Sequence, residues 1–352
     1  MAAIYKLNLM RILPLLLTIC TLLGAHAAEP GKDGDDTVWL LGYFRQRYEG
    51  RVEIDAQGNP HQVPLPNPMQ VEKLHYALST DGRNWKPLNG NLPVWDEFVR
   101  DPFLLRGGDG LWHLLATGGR SVRGETTGPV CLHAVSKDLI TWEHREALAL
   151  MKYVKDETGR PARNIWAPES FVDPATGDTI LLWSSSFEDA GWKKSRLWYS
   201  RTRDWKTFTP AQILFAPPYS VIDGTLLTRD GKYYLFHKEE EFAKAERRAI
   251  RVAVADHVEG PYEIVDGALN GGQLVPTITE GPSIMPDPTS PGWLLVYDYC
   301  MTDRFGVSSS QDLKNWKIEE AISFPDAARH GCLTRLSADE AKKLREKFPA
   351  QP

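Results

Sequence analysis

The feature that most constrains this chain is a recurring Ser-x-Asp-x-x-x-Trp. It stands as Ser79-Thr80-Asp81 to Trp85, Ser136-Lys137-Asp138 to Trp142 and Ser310-Gln311-Asp312 to Trp316. Two looser copies run from Ser200 through Asp204 to Phe208, and from Ala253-Val254-Ala255-Asp256 into Gly260-Pro261-Tyr262. With Ser79, Ser136, Ser200, Ala255 and Ser310 as markers, the spacings are 57, 64, 55 and 55 residues. A fixed period of this size marks a repeat architecture. Each copy follows an alternating segment such as Leu74-His75-Tyr76-Ala77-Leu78, which predicts a strand. The Asp-x-x-x-Trp then predicts a turn whose aromatic ring packs on the sheet. Five copies predict five blades. An all-β chain of this kind protects its strand edges by repeating radially around a channel, whereas a large β-sandwich would not need the period. The expected fold is an all-β, five-bladed β-propeller.

A second element precedes most copies: a carboxylate beside a small residue or proline, then a β-rich run and a turn. Arg100-Asp101-Pro102 leads to Asp109-Gly110-Leu111-Trp112, and Ala167-Pro168-Glu169 leads to Gly177-Asp178 and Trp183. Ile222-Asp223-Gly224 leads to Asp230-Gly231-Lys232-Tyr233, and Glu280-Gly281-Pro282 to Gly292-Trp293. These carboxylates lie 68, 54 and 57 residues apart, one per blade. The remaining blade lacks such a start, because Val38 to Phe44 is already an aromatic strand. Cys332 to Leu336 is expected to supply its inner strand, so that pairing of the N- and C-terminal strands closes the ring. Ser337-Ala338-Asp339-Glu340 is a capping-box sequence and predicts a short helix to about Phe348.

The N-terminus carries Lys6 and Arg11, an apolar run from Ile12 to Leu23, and Ala25-His26-Ala27 in the small-x-small pattern of a cleavage site. This predicts a signal peptide over residues 1–27, one propeller domain over 28–352, and a secreted or periplasmic location. The apolar run is too short for a membrane span, which needs roughly 20 residues. Ile19 before Cys20 spoils a lipoprotein signal. With 41 basic and 46 acidic residues and no basic stripe, nucleic acid and anionic membrane surfaces are poor partners. Cys131, Cys300 and Cys332 remain after the leader, enough for one disulfide, and no CxxC spacing suggests zinc. Twelve tryptophans and twelve tyrosines point to stacking on sugar rings or to dense aromatic packing.

In a propeller the first strand of each blade lines the axis. Asp101, Glu169, Asp223 and Glu280 are therefore expected at equivalent blade positions around one cavity. Any one of them alone reads as a turn cap. Together they fit glycoside hydrolysis, where a carboxylic acid protonates the leaving oxygen and a carboxylate activates water on the far side of the sugar.

At Arg100-Asp101-Pro102, Trp166-Ala167-Pro168-Glu169, Val221-Ile222-Asp223-Gly224, Thr279-Glu280-Gly281-Pro282 and Arg329-His330-Gly331 the sequence resembles glycoside hydrolase family 43. That family of five-bladed enzymes includes arabinofuranosidases, arabinanases, xylosidases and galactosidases. The resemblance implies Asp101 as general base, Asp223 as the residue that orients the acid and raises its pKa, and Glu280 as general acid. It also implies inversion at the anomeric centre, with acid and base about 6.5 to 9.5 Å apart. Glu169 stands where the family commonly has Asp, and Gly224 where it commonly has Pro. Arg100 either holds Asp101 ionised or faces outward. Trp166 is a candidate stacking platform or a blade-packing ring. His330 is expected near the axis, which leaves a structural calcium ion there open, although no cofactor is required. Lys238 and Glu239 directly follow the strand Tyr233 to His237, which brings one of them to the rim. The expected substrate-binding set is Arg100, Trp166, Glu169, Glu239 and His330.

The related five-bladed fructosidases want an Asn-Asp-Pro near the N-terminus and an acidic-Cys pair, and neither is present. A catalytically silent sugar-binding propeller would lose carboxylates that this chain keeps. No Gly-x-Ser-x-Gly elbow supports a serine hydrolase. Specificity is expected in the loops Arg45 to Gln70, Gly118 to Pro129, Met151 to Asn164 and Phe187 to Lys194. Loops of this length favour a closed pocket and exo-cleavage of an oligo- or polysaccharide by a monomer. The leading terminal sugar is α-L-arabinofuranose, with β-galactofuranose, β-galactose and β-xylose behind it.

Overall fold

A computed structural model of the protein describes residues 37–47, 50–54, 60–64, 69–118, 129–187, 194–241, 248–265, 278–300 and 302–350. The expected signal peptide, Cys20 and much of three of the four named loops lie outside these residues. The chain opens with β1 (Val38–Arg47), continues through the hairpin β2 (Gly50–Ile54) and β3 (Pro60–Pro64), and returns as β4 (Met69–Ser79) and β5 (Lys86–Pro87). Three complete sheets follow: β6 (Phe103–Arg106) to β9 (Trp142–His144), β10 (Trp166–Val172) to β13 (Gln212–Phe215), and β14 (Val221–Arg229) to β17 (Glu263–Ile264). The fourth runs from β18 (Thr279–Pro286) to β21 (Lys317–Ile318). The last strand, β22 (Ala328–Leu336), pairs antiparallel with β1, giving the order β22-β1-β4-β5. The fold is a five-bladed propeller closed by its two ends, as the repeat predicted.

Period-two alternation explains how each strand serves two neighbours. Leu40 packs with Leu104 and Leu114 of the second blade, while Leu41 packs with Met285 and Leu294 of the fifth. The described apolar side chains form five such clusters, one at each junction between blades. The helix α1 (Ala338–Lys347) has the predicted capping box, with Ser337 and Glu340 capping each other, and lays Ala341 and Leu344 on the junction of the first two blades. Among the described residues no helix is long and apolar enough to cross a membrane.

The repeated motif is the turn from the third to the fourth strand of a blade. Asp81, Asp138 and Asp312 each accept two backbone N–H groups from the turn that follows them. The residue after each Asp, namely Gly82, Leu139 and Leu313, has a left-handed backbone. The third copy is Thr202-Arg203-Asp204 rather than one beginning at Ser200. Thr202 Oγ1 caps the N–H of Trp205, and Asp204 accepts from Lys206 and Thr207, while Ser200 bonds Thr209. Threonine supplies the same hydroxyl as serine, so the motif has one length in all four.

Candidate active site

The inner strands β10, β14 and β18 share one irregularity near their start. Register jumps between Trp166 and Glu169, between Ile222 and Thr225, and between Glu280 and Ser283, so two residues oppose one on the neighbouring strand. Such a bulge re-aims a side chain out of the sheet. The first bulged residue is left-handed in each: Ala167 at φ 41°, Asp223 at 51° and Gly281 at 58°, and Asp101 before β6 matches them at 50°. A left-handed backbone is uncommon for a residue with a Cβ, and Asp tolerates it better than most.

This alignment corrects one expectation. Asp101 and Asp223 are equivalent, but Glu280 stands one residue before that position and Glu169 two residues after it. The carboxylates still meet, because the five inner strands converge. His330 links them: its Nδ1 lies 3.6 Å from Asp101 Oδ1, and its ring packs on Gly281, where an added Cβ would lie 2.8 Å from it. Asp101 Oδ2 accepts from Thr117 Oγ1 at 2.6 Å, and the same oxygen of Thr117 accepts the Ala167 N–H at 2.9 Å. Asp223 Oδ2 accepts the Gly281 N–H at 3.1 Å.

Glu280 has a different setting from the one expected of it. Arg329 donates to its Oε1 at 2.5 Å and Lys238 to its Oε2 at 2.9 Å. Both cations are buried and themselves anchored, Arg329 by Asp298 at 2.6 Å and Lys238 by Glu240 at 2.5 Å. Arg248 continues the chain, donating to Glu240 at 3.0 Å and to Cys300 Sγ at 3.4 Å. Three cations and three carboxylates thus alternate from Arg248 to Asp298. Burial pushes the Glu280 carboxyl up, but Lys238 and Arg329 outweigh it and hold it well below the usual carboxylate range. That direction is opposite to the raised pKa that the resemblance implies for the acid.

The raised carboxyls are its neighbours. Burial, reinforced by the charges of Glu280 and Asp101 and opposed by His330 and Lys238, pushes Asp223 up to about 6. Burial pushes Glu169 up to about 8, against a hydrogen bond with Thr225 and the charge of His330. Burial lowers His330, but Asp101, Asp223, Asp298 and Glu280 together raise it above its ordinary value.

The remaining predicted residues divide. Arg100 is tied to Glu72 at 2.5 Å and lies 3.9 Å from Asp101, with Phe44 beneath its guanidinium. Trp166 is partly exposed at the start of β10. Glu239 does not reach the site: it is buried and takes Arg251 at 2.6 Å, while Lys238, on the other face of β15 (Lys232–Glu240), is the residue that meets Glu280. Sequence reasoning weighed Lys238 against Glu239 and took Glu239 into the binding set, and it assigned no site role to Arg329, Asp298 or Thr117. A buried glutamate at the axis demands a cation, and that demand would have favoured Lys238 over Glu239 and pointed to Arg329 beside His330. Among the described residues no three His, Cys, Asp or Glu side chains are grouped to hold a metal ion. Cys131, Cys300 and Cys332 are buried free thiols.

Carboxylates from several blades gathered around an imidazole whose pKa is raised can move protons at a sugar acetal. The comparisons agree. A family model described as "Probable glycosyl hydrolase domain", related to glycoside hydrolase family 43, matches residues 66–342. A thermostable family-43 glycoside hydrolase superposes with a TM-score of 0.54 at 12% identity, covering 85% of this chain and 99% of that one. A family-43 β-1,3-galactosidase with galactodeoxynojirimycin gives 0.51 at 14%, covering 79% and 99%. The native arabinanase of Bacillus subtilis gives 0.50 at 15%, covering 68% and 80%. No curated protein matches the chain in sequence.

Proposed function

The chain belongs to the glycosyl hydrolase family related to glycoside hydrolase family 43 and is a glycosidase, and from that premise we propose that it removes single terminal sugars with inversion. The observation that carries this reading is the convergence of Asp101 and Asp223, equivalent residues of two blades that are not neighbours, at the axis with Glu280 and His330. Asp101 is the base. Its Oδ2 is fixed by Thr117, and its Oδ1 faces the imidazole of His330, which together hold the carboxyl group in place to activate water. The proton for the leaving oxygen comes from the carboxyl group on the opposite side of the ring.

The chain's topology supports exo-cleavage. Strand ends Thr117, Ser185 and Glu240 lie at the same end of the blades as Asp101 and Asp223, and each begins a long connection. Connections of that length at one rim favour a pocket over an open groove. Trp166, partly exposed one residue before the bulge, supplies a stacking face for the sugar. The leading substrate is a terminal α-L-arabinofuranoside. Because one solved neighbour is a β-1,3-galactosidase, a β-galactoside is the second reading. In this reading the enzyme works outside the cytoplasm after losing residues 1–27.

A panel of α-L-arabinofuranosyl, β-galactofuranosyl, β-galactosyl and β-xylosyl aryl glycosides, followed by NMR of the first-formed anomer, tests this. Hydrolysis with inversion of the arabinofuranoside is expected. Retention would remove the mechanism, and activity confined to a galactoside would replace the substrate.

A further inference from the structure

We infer that one position on the second strand of every blade, held by Phe44, Thr117, Ser184, Lys238 and Asp298, positions the site residues of the blade that follows, so that the spacing of the reacting carboxyl groups is set between blades. This rests on the reading of the chain as a glycosidase that reacts at Asp101, Asp223 and Glu280.

The five residues are equivalent by register. Ser184 pairs with Trp166, Lys238 with Ile222 and Asp298 with Glu280, in each case the residue just before the left-handed one of the bulge. Thr117 takes the same place in the second blade, where its N–H donates to the carbonyl of Arg100, the residue before Asp101. In the first blade the register jump skips His330, and Phe44 pairs with Arg329 before it. All five are buried.

From this position each side chain crosses to the next blade. Thr117 Oγ1 accepts the N–H of Ala167 at 2.9 Å, Ser184 Oγ that of Asp223 at 3.0 Å, and Asp298 Oδ2 that of His330 at 2.9 Å. All three amides belong to bulged residues. A bulge takes its extra residue out of the ladder, so a buried N–H there needs an acceptor from elsewhere. In the fourth blade the position is Lys238, whose ammonium has protons to give and no lone pair to offer. It donates to Glu280 of the fifth blade at 2.9 Å, and Asp223 Oδ2 takes the Gly281 N–H in its stead at 3.1 Å. Phe44 can neither donate nor accept, and it lies beneath the guanidinium of Arg100, 5.1 Å from the ring centre. The chemistry changes from blade to blade, but the direction does not.

Thr117 shows what this does for the reaction. An amide only donates, so the Ala167 N–H uses a lone pair of Oγ1 and turns the hydroxyl proton to Asp101, whose Oδ2 receives it at 2.6 Å. That ties Oδ2. The oxygen left for the proton of the attacking water is Oδ1, 3.6 Å from His330 Nδ1. Ser184 then holds Asp223 from the third blade, and Asp223 holds the amide that follows Glu280. The three carboxyl groups are thus spaced by contacts that run from the second blade to the fifth. Inversion depends on that spacing, and a displacement of about 1 Å costs on the order of 10²-fold in rate.

The test compares Thr117→Val, Thr117→Ser and Ser184→Ala with the wild type on two glycosides of the same sugar, one with a dinitrophenyl and one with an alkyl leaving group. Rates are counted per folded molecule, with the folded fraction from circular dichroism. T117V releases the base and is expected to lose about 10–10²-fold in kcat on both glycosides with KM little changed. Thr117→Ser keeps the hydroxyl and is expected to restore most of that rate. S184A loosens Asp223 on the leaving-group side, so its loss should be larger on the alkyl glycoside, which depends on a proton to depart. An unchanged kcat in T117V or S184A, or a T117S as slow as T117V, overturns the inference. Either variant carries the test if the other does not fold.

Amide hydrogen exchange, followed residue by residue by NMR, reads the same contacts without turnover. Ala167 is expected to exchange faster in T117V with Asp223 unchanged, and Asp223 faster in S184A with Ala167 unchanged. Exchange of both amides at the wild-type rate in these variants also overturns the inference. A wild type that cleaves no glycoside removes the enzymatic reading instead, while exchange still reports whether the contacts between blades hold.

Discussion

Glu169 illustrates how burial without a cation differs from burial with one. Among the described residues no lysine or arginine pairs with it, and it is pushed up to about 8 from an ordinary 4.5. Between those values the folded state holds a proton that the unfolded state releases. Stability tied to this group is therefore complete below the ordinary value and lost as pH rises through about 8. Glu169→Gln should flatten the decline in stability between pH 5 and 8, gaining on the order of 3 kcal/mol at the upper end by urea denaturation. An unchanged slope would mean that the carboxyl is ionised when folded. Lys238 is the opposite case. Lys238→Met leaves Glu240 and Glu280 buried with one cation each and should cost about 3–5 kcal/mol in the same assay. Which of Lys238 and Glu239 faces the axis was not legible in the sequence. A one-residue slip exchanges the two faces of a strand, and the bulge at Asp223 opposite His237 introduces such a slip.

The bulge is the element that turns a row of blade starts into a site. Its left-handed residue is Asp in two blades, Ala in the third and Gly281 in the fifth, and the glycine has a spatial reason. The His330 ring occupies the space a Cβ would fill, 2.8 Å from its ideal position. Gly281→Ala must displace His330 and adopt a φ of 58°, so a loss of about 1–3 kcal/mol is expected. Activity should fall further than the loss of folded protein explains, because His330 faces Asp101. Equal losses of activity and folded fraction, measured by circular dichroism on the same sample, would separate His330 from the chemistry. The carboxylate beside a small residue or proline was visible in the sequence, and it correctly marked the inner strands. The exact phase was not visible, because a bulge adds a residue without changing composition. That is why Glu169 and Glu280 looked equivalent to Asp101 and Asp223 when each is offset from them. The outer turns were easier, since their Asp side chains bond within four residues and need nothing from the rest of the chain.

At the scale of the whole molecule, the ring closes through β22, and this strand is structural and chemical at once. It pairs along β1 from Leu336 to Ala328, and it carries Arg329 and His330 into the centre. The closure was legible because the first sheet had an aromatic strand and no inner one, and a propeller blade cannot leave that position unfilled without exposing an edge. The alternating charges from Arg248 to Asp298 were not, since they join residues of three blades that only the closed ring brings together. Two truncations separate these contributions. A chain ending at Leu336 lacks α1 and loses Ala341, Leu344 and Phe348 from the junction of the first two blades, but keeps the site. Removing several buried apolar side chains at roughly 2–3 kcal/mol each should lower its melting temperature by 10 °C or more, by the ordinary scaling, while leaving the remaining folded protein active. A chain ending at Ala327 also loses β22. It leaves Leu41 and Leu40 without their inner neighbour, Glu280 without Arg329, and Asp298 buried with no cation. That chain should show no cooperative transition by calorimetry and should be cut by protease within the blades rather than at their loops. A sharp melting transition in the shorter chain would mean that the ring closes without the inner strand of the first blade.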